Sequence, residues 1–341
     1  MKKTKLYILF SILICFIVIV MGIGVGSVYV SPRDIISIVM NKLFSTPLIH
    51  DIPEASVSIV LNLRIPRTLL AFIVGGALAV SGTVMQSVLK NPLASSYTLG
   101  VSSGASVGAG IVIITGVSIP FLGMFTLPLF GLIFGLLTVF LAVSFTAKLD
   151  KNMSNNTIIL VGMVFSLFIN AILTLMSALG REHIQQLIFW QMGSFSSREW
   201  SSVGILLPIV IIGVLILIKY SRELDLMTFG EEQASAVGVE INKVKWILLG
   251  LSAALTGSAI SFVGVIGFID LIAPHVVRRF FGSSHKIVIP MSMFVGGAFM
   301  VVCDLVARTI ISPSELPVGA VTALIGAPFF AYVYFSKRKV R

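Results

Sequence analysis

The residues able to carry out chemistry in this chain are few and scattered. Its four histidines, His50, His183, His275 and His285, fall in four separate segments, which gives no H-E-x-x-H pair and no metal-ligand spacing. The cysteines Cys15 and Cys303 lie far apart inside apolar runs and read as small core residues, not as a disulfide or metal framework. No Ser/His/Asp cluster marks a nucleophile, and no G-x-x-x-x-G-K-[ST] loop is present to bind a nucleotide. The sequence therefore reads as no enzyme, with no cofactor of its own; any ATP and Mg chemistry would sit on another polypeptide.

What remains are charges in unusual surroundings. Asp270 and Asp304 are the carboxylates within apolar runs, and an ionisable group at membrane depth is a functional hypothesis by default. Asp270 either faces a pathway, where it would disfavour anionic ligands, or lies near the outer boundary of a short span. Asp304 has Arg308 four residues on, an intrahelical ion-pair spacing. Arg64 and Arg67 precede an apolar run on the side where basic residues are disfavoured, which suits pairing with an acidic partner; snorkelling to headgroups is the alternative.

Helices have to position these groups, because lipid is the solvent for most of the chain. The 341 residues are 57% hydrophobic and 11% charged, against about 25% charged in soluble domains. Backbone polar groups in hydrocarbon must be satisfied within the segment, so the fold class is all-α and the whole of 1–341 reads as one transmembrane domain. Apolar runs near 6–30, 68–89, 99–117, 121–147, 157–179, 201–219, 246–264, 267–281, 287–309 and 316–335 make ten spans. The eighth is too short to cross about 30 Å untilted. The first is longer than a signal-peptide core of about 7–15 residues and lacks a clear cleavage site, so a retained helix is expected.

An even count puts both termini on one side. The clusters Lys2, Lys3, Lys5 and Lys337, Arg338, Lys339, Arg341 make that side cytoplasmic under the positive-inside rule. Segments 31–67, 180–200 and 310–315 then face out. The net charge of +10 sits at span ends, which suits anionic lipid headgroups and not nucleic acid.

Among the inner segments, 220–245 is the longest polar one, yet Leu224, Leu226, Met227, Phe229, Ala234, Ala236 and Val237 are spaced helically. That predicts short amphipathic helices offered to a cytoplasmic partner, or else lying on the inner leaflet. Small residues crowd the second and seventh spans, and the strings Ala77–Gly82 and Ala254–Ser258 sit five spans apart, a spacing compatible with an inverted repeat. Asn91-Pro92 and Pro274-His275 interrupt apolar segments, and broken helices are tolerated only against protein or a water-filled cavity.

The ordered strings LRIPRTL (63–69), GGALAVSGTVMQ (75–86), KNPLA with LGVSSGA (90–105), W-x-x-GS (190–194), GEEQASAVGV (230–239), FVGVIGF with APHVVRR (262–279), DLVAR (304–308) and ELPVGAVTALIGAPFF (315–330) resemble the FecCD permeases of bacterial ABC importers. The resemblance covers nearly the whole chain and implies a ten-helix, type II importer permease fold in the bacterial cytoplasmic membrane. It implies pairing with an identical or related permease, two cytoplasmic ATPase subunits, and an external substrate-binding protein. Ferric siderophores or similar iron chelates are the implied cargo, with haem or cobalamin as the alternative; an ion-gradient-driven secondary transporter is the alternative of another class. By position, Arg64, Arg67 and Arg308 match docking arginines for the binding protein. Gly230, Glu231, Glu232, Ala234 and Gly238 match the family's ATPase-coupling helices, with Gly238 as a helix stop. Asn155 and Asn156 fall where similar transporters narrow the inner exit, though Ser154–Thr157 also reads as a helix start. Asn91, Pro92, Asp270 and Pro274 are candidates for pathway or hinge positions, and Asp270 replaces a residue that is usually glycine in such permeases.

Overall fold

The computed structural model describes residues 2–26, 30–47 and 52–336; His50 and the terminal Lys337, Arg338, Lys339 and Arg341 lie outside them. Among these residues there is no strand, as expected where backbone groups must be satisfied within each segment. The helices are α1 (Lys2–Gly24), α2 (Pro32–Phe44), α3 (Glu54–Ser58), α4 (Ile65–Val88), α5 (Val101–Thr115), α6 (Thr126–Leu149), α7 (Asn155–Leu179) and α8 (Ile184–Met192). They continue with α9 (Trp200–Lys219), α10 (Ser221–Phe229), α11 (Glu231–Ala236), α12 (Ile241–Val263), α13 (Ile269–Phe281), α14 (His285–Thr309) and α15 (Val318–Ser336).

Each apolar run predicted to span coincides with a helix. Seven of these, α1, α4, α6, α7, α9, α12 and α14, are long and apolar enough to cross a membrane, and α5 and α15 are shorter apolar helices. The segments predicted as outer loops hold structure of their own. Ser31 caps α2 by accepting the Asp34 amide at 3.2 Å, with Pro32 at the first turn, a start signal present in the sequence. Residues 54–64 form helical turns, a π-helical stretch at Ile59–Arg64 included, that run directly into α4, and 180–200 contains α8.

Helix α4 is the axis, and its small residues explain why. A Cβ on Gly75 would overlap Gly296 and Met300 of α14, one on Gly76 would press on Met293, and one on Gly82 would overlap the Asp270 carbonyl of α13. Such backbone approach is how helices gain contact in lipid. The strings Ala77–Gly82 and Ala254–Ser258 meet here: Ser81 Oγ donates to Ser252 O at 2.9 Å and Thr256 Oγ1 donates to Ser81 Oγ at 2.7 Å.

The shortness of the eighth run has a physical cause. After α12 ends at Val263, residues 264–268 turn back into the bundle, with Gly264 at φ +82° and Phe268 at +70°. Helix α13 thus begins beside Gly82, roughly 26 Å along α4 from Ile65 at about 1.5 Å per residue. Asp270 is therefore at depth and 4% exposed, not near the outer boundary.

The bundle has two ends. The arginine end gathers Arg64, Arg67, α8 and the turn between α14 and α15. The opposite end carries α10, α11, the turn between α6 and α7, and the start of α14.

Candidate functional site

At the α10–α11 end, the apolar pattern of 220–245 divides between two directions. Leu224, Met227 and Ala234 are buried against the core, whereas Phe229 is 84% and Val237 65% exposed. Gly230 separates the helices at φ +159°, and Gly238, at φ +92°, ends α11: its amide donates to Ser235 O and the Val239 amide to Ala234 O, at 2.9 and 3.0 Å. That is a helix stop closed by a left-handed residue, the geometry glycine allows. Glu232 is exposed, but Glu231 turns inward to Lys245, 2.9 Å away. The platform offered outward is thus Phe229, Glu232, Gln233 and Val237.

This platform is anchored to the bundle in two ways. Asp225 of α10 accepts the His285 backbone amide at 2.9 Å and lies 2.5 Å from His285 Nδ1, satisfying the positive start of α14 from a neighbouring helix. His285 Nε2 meets Ser87 Oγ at 2.6 Å, and Arg278 donates to Ser87 Oγ at 3.0 Å and to Gln86 Oε1 at 2.5 Å, so α10, α14, α4 and α13 share one polar network. The second anchor is Lys245, fully buried, which donates to Met153 O at 2.7 Å as well as to Glu231. Neither anchor shows in the sequence: Asp225 and Lys245 are two of several charges in the polar stretch 220–245, and no spacing links them to His285 or Met153.

Met153 belongs to the turn before α7, next to Asn155 and Asn156. The Asp150 carboxylate closes that turn, accepting Ser154 N and Asn152 N at 2.9 Å each and Thr157 Oγ1 at 3.2 Å. Those bonds, led by Ser154, hold the Asp150 carboxyl down at about 2. Asn156 is exposed, and Asn155 is half-buried with its side-chain oxygen lacking a partner. The stretch is a helix start and also presents two amides at one rim.

At the other end the three arginines are engaged inside the chain. Arg64 donates to Ile23 O and Gly24 O at 3.2 and 2.9 Å, and Arg308 donates to Gly22 O; together they satisfy the orphan carbonyls that end α1. Arg67 grips Asp304 at 2.8 Å and Glu315 at 2.6 Å. Asp304 is thus chiefly the partner of Arg67, with Arg308 farther off at 3.8 Å. None of the three snorkels. Sequence reading passed over Arg198, in the loop before α9: its Nε is buried without a partner, and desolvation lowers its pKa.

Beyond the contact of α13 with Gly82, Pro274 does not interrupt α13 but lies inside it. Lacking an N–H, it frees the carbonyl of Asp270 four residues earlier, and Gln86 Nε2 takes that carbonyl at 3.2 Å. The Asp270 carboxylate accepts the Ser95 hydroxyl. Asn91 and Pro92 likewise mark an end and not a break: α4 closes with Lys90 at φ +50°, and Asn91 Oδ1 accepts the Leu93 amide at 2.9 Å. Among the described residues, no group of His, Cys, Asp and Glu is arranged to hold a metal ion.

The FecCD transport family model matches residues 13–336. An uncharacterized ABC transporter permease of Bacillus subtilis, YvrB, is 39% identical over 94% of this chain and 91% of its own length. The cobalamin import permease BtuC of Halobacterium salinarum is 37% identical over 87% and 79%. An inward-facing structure of a candidate metal-chelate type ABC transporter superposes with a TM-score of 0.84 at 30% identity, covering 97% of this chain and 99% of that one. Permeases named for Fe(3+)-citrate and haemin are among further relatives. Matched in sequence from residue 13 to 336 and in shape over 97% of its length, this helical chain belongs to the FecCD transport family of ABC-transporter permease subunits.

Proposed function

We propose that this chain forms the passage of an ATP-driven importer for a ferric siderophore or similar iron chelate in the bacterial cytoplasmic membrane. The observation that carries the reading is the exposed α10–α11 platform on a chain of this family: an apolar and acidic knob, braced on the bundle, with no nucleotide site of its own. Two cytoplasmic ATPase subunits, binding ATP and Mg, would each take such a knob, and their closure would shift the helices braced on it. Both termini then lie in the cytoplasm and α5, α13 and α15 complete ten spans, α13 as a half-helix entered from outside.

A second permease subunit, identical or homologous, completes the pathway. Supporting this, only 22% of the apolar window of α7 is buried within the chain, and its exposed residues include Asn156 and Asn170. Amides on an exposed face of a spanning helix suit a partner or a wet passage better than lipid. Asn155 and Asn156 would narrow its inner exit. The arginine end receives the substrate-binding protein: the rim pair Arg67 and Glu315 and the half-buried Arg198 stand nearest the surface, with Arg64 and Arg308 bracing them from below.

Iron chelates are favoured by the metal-chelate neighbour and the iron-citrate relative; the cobalamin relative keeps haem or cobalamin as the second reading. Deleting the gene and measuring uptake of radiolabelled ferric siderophore by iron-starved cells tests this. Loss of ferric uptake, restored by the gene in trans, is expected. Intact ferric uptake with lost cobalamin or haem uptake would move the cargo to the second reading.

A further inference from the structure

We propose that Lys245 is a positioning residue that ties the ATPase-facing helix α11 to the first turn of α7, so that displacement of one moves the other. The inference rests on the reading of α11 as the ATPase platform. Three observations carry it.

First, the Lys245 ammonium is fully buried, one turn inside α12, and has acceptors on two other elements: Glu231 Oε2 at the start of α11, 2.9 Å away, and Met153 O at 2.7 Å. A dry ammonium that releases either acceptor is left undercompensated, so the three groups hold together or separate at large cost. Second, the receiving end is stiff. Met153 is 1% exposed and sits at φ +48°, and its amide donates to Asp150 O at 2.9 Å. Asp150 in turn binds Ser154 and Thr157, so a pull on the Met153 carbonyl is a pull on the turn that carries Asn155 and Asn156. Third, a parallel tie runs beside it, from Asn242 Nδ2 of α12 to Lys151 O at 2.9 Å. Both ties join the same turn to the helices nearest the platform.

Glu231 therefore acts toward the interior of this chain, while Glu232 and Phe229 are left for the ATPase. The bridge differs from a merely stabilising ion pair in what it should control: the transfer of motion, not the binding of the ATPase or its turnover.

The test uses the complete transporter in proteoliposomes, with Asn156→Cys in a background carrying Cys15→Ala and Cys303→Ala. The readout is the rate of modification by a membrane-impermeant maleimide, with and without ATP and vanadate. With the bridge intact, nucleotide changes that rate by about fivefold or more, the low end of ordinary coupling. With Glu231→Gln, which keeps an acceptor but removes the charge, or Lys245→Met, the change shrinks toward none while ATPase activity persists and chelate transported per ATP falls. Should Lys245→Met not assemble, Glu231→Gln and the Glu231→Asp rescue carry the test. A nucleotide-dependent change of full size in Glu231→Gln overturns the bridge. No change even with the bridge intact overturns instead the reading of α11 as the platform.

Discussion

Arg67 and Asp304 are the pair on which residue-level energetics can be tested most sharply. Asp304 is 1% exposed, and removing one partner of a buried pair costs about 3–5 kcal/mol. Arg67→Ala should therefore lower the Tm of the detergent-solubilised protein clearly, and Asp304→Ala added to it should recover part of the loss. Additive loss in the double variant would show that the pair is not coupled. A second residue-scale prediction concerns Gln86, which serves both the carbonyl freed by Pro274 and the guanidinium of Arg278. Gln86→Ala leaves the Asp270 carbonyl without its side-chain donor and removes one of the bonds of Arg278, which keeps Thr83 O and Ser87 Oγ, a penalty of about 1–3 kcal/mol, whereas in the Pro274→Ala background the restored helical amide should shrink it. Residue types were legible in the sequence at these places, but partners were not: Arg67 finds Asp304 across 237 positions, and no periodicity encodes that. The intrahelical spacing of Asp304 and Arg308 pointed to the weaker of the two contacts.

At the scale of elements, the close approach of α4 and α14 depends on backbone touching backbone at Gly75 and Gly296. Gly75→Val would force the helices apart, at a cost of at least about 1–3 kcal/mol for overpacking, and should reduce folded protein recovered from membranes, measured by size-exclusion chromatography. The α10–α11 platform makes the opposite prediction. Phe229 is 84% exposed, so Phe229→Asp should leave the Tm of the isolated permease within the roughly 0.5 kcal/mol range of surface changes, while abolishing co-purification with the ATPase. Retained co-purification would remove Phe229 from the interface. Helix positions were legible because runs of apolar residues have one solution in lipid. The start of α13 at depth was not, because Gly264 and Phe268 reverse the chain through left-handed conformations that composition does not reveal. Helix α2 was missed although Ser31, Pro32 and Asp34 spell a helix start, since its apolar face is too narrow to register as a span.

For the whole molecule, the family match from residue 13 to 336 and the superposition over 97% of the chain agree with a permease subunit whose ATPase is a separate chain. Of the two carboxylates in apolar runs, Asp304 is held by Arg67 at the arginine end and Asp270 by Ser95, so among the described residues neither is free to pass protons along an acidic relay. The most direct measurement is uptake of a radiolabelled ferric chelate by proteoliposomes holding this permease, its ATPase and its binding protein. Uptake should require hydrolysable ATP on the side bearing α10 and α11, and binding protein on the other. Equal uptake with a non-hydrolysable analogue, driven by an imposed ion gradient, would contradict the account.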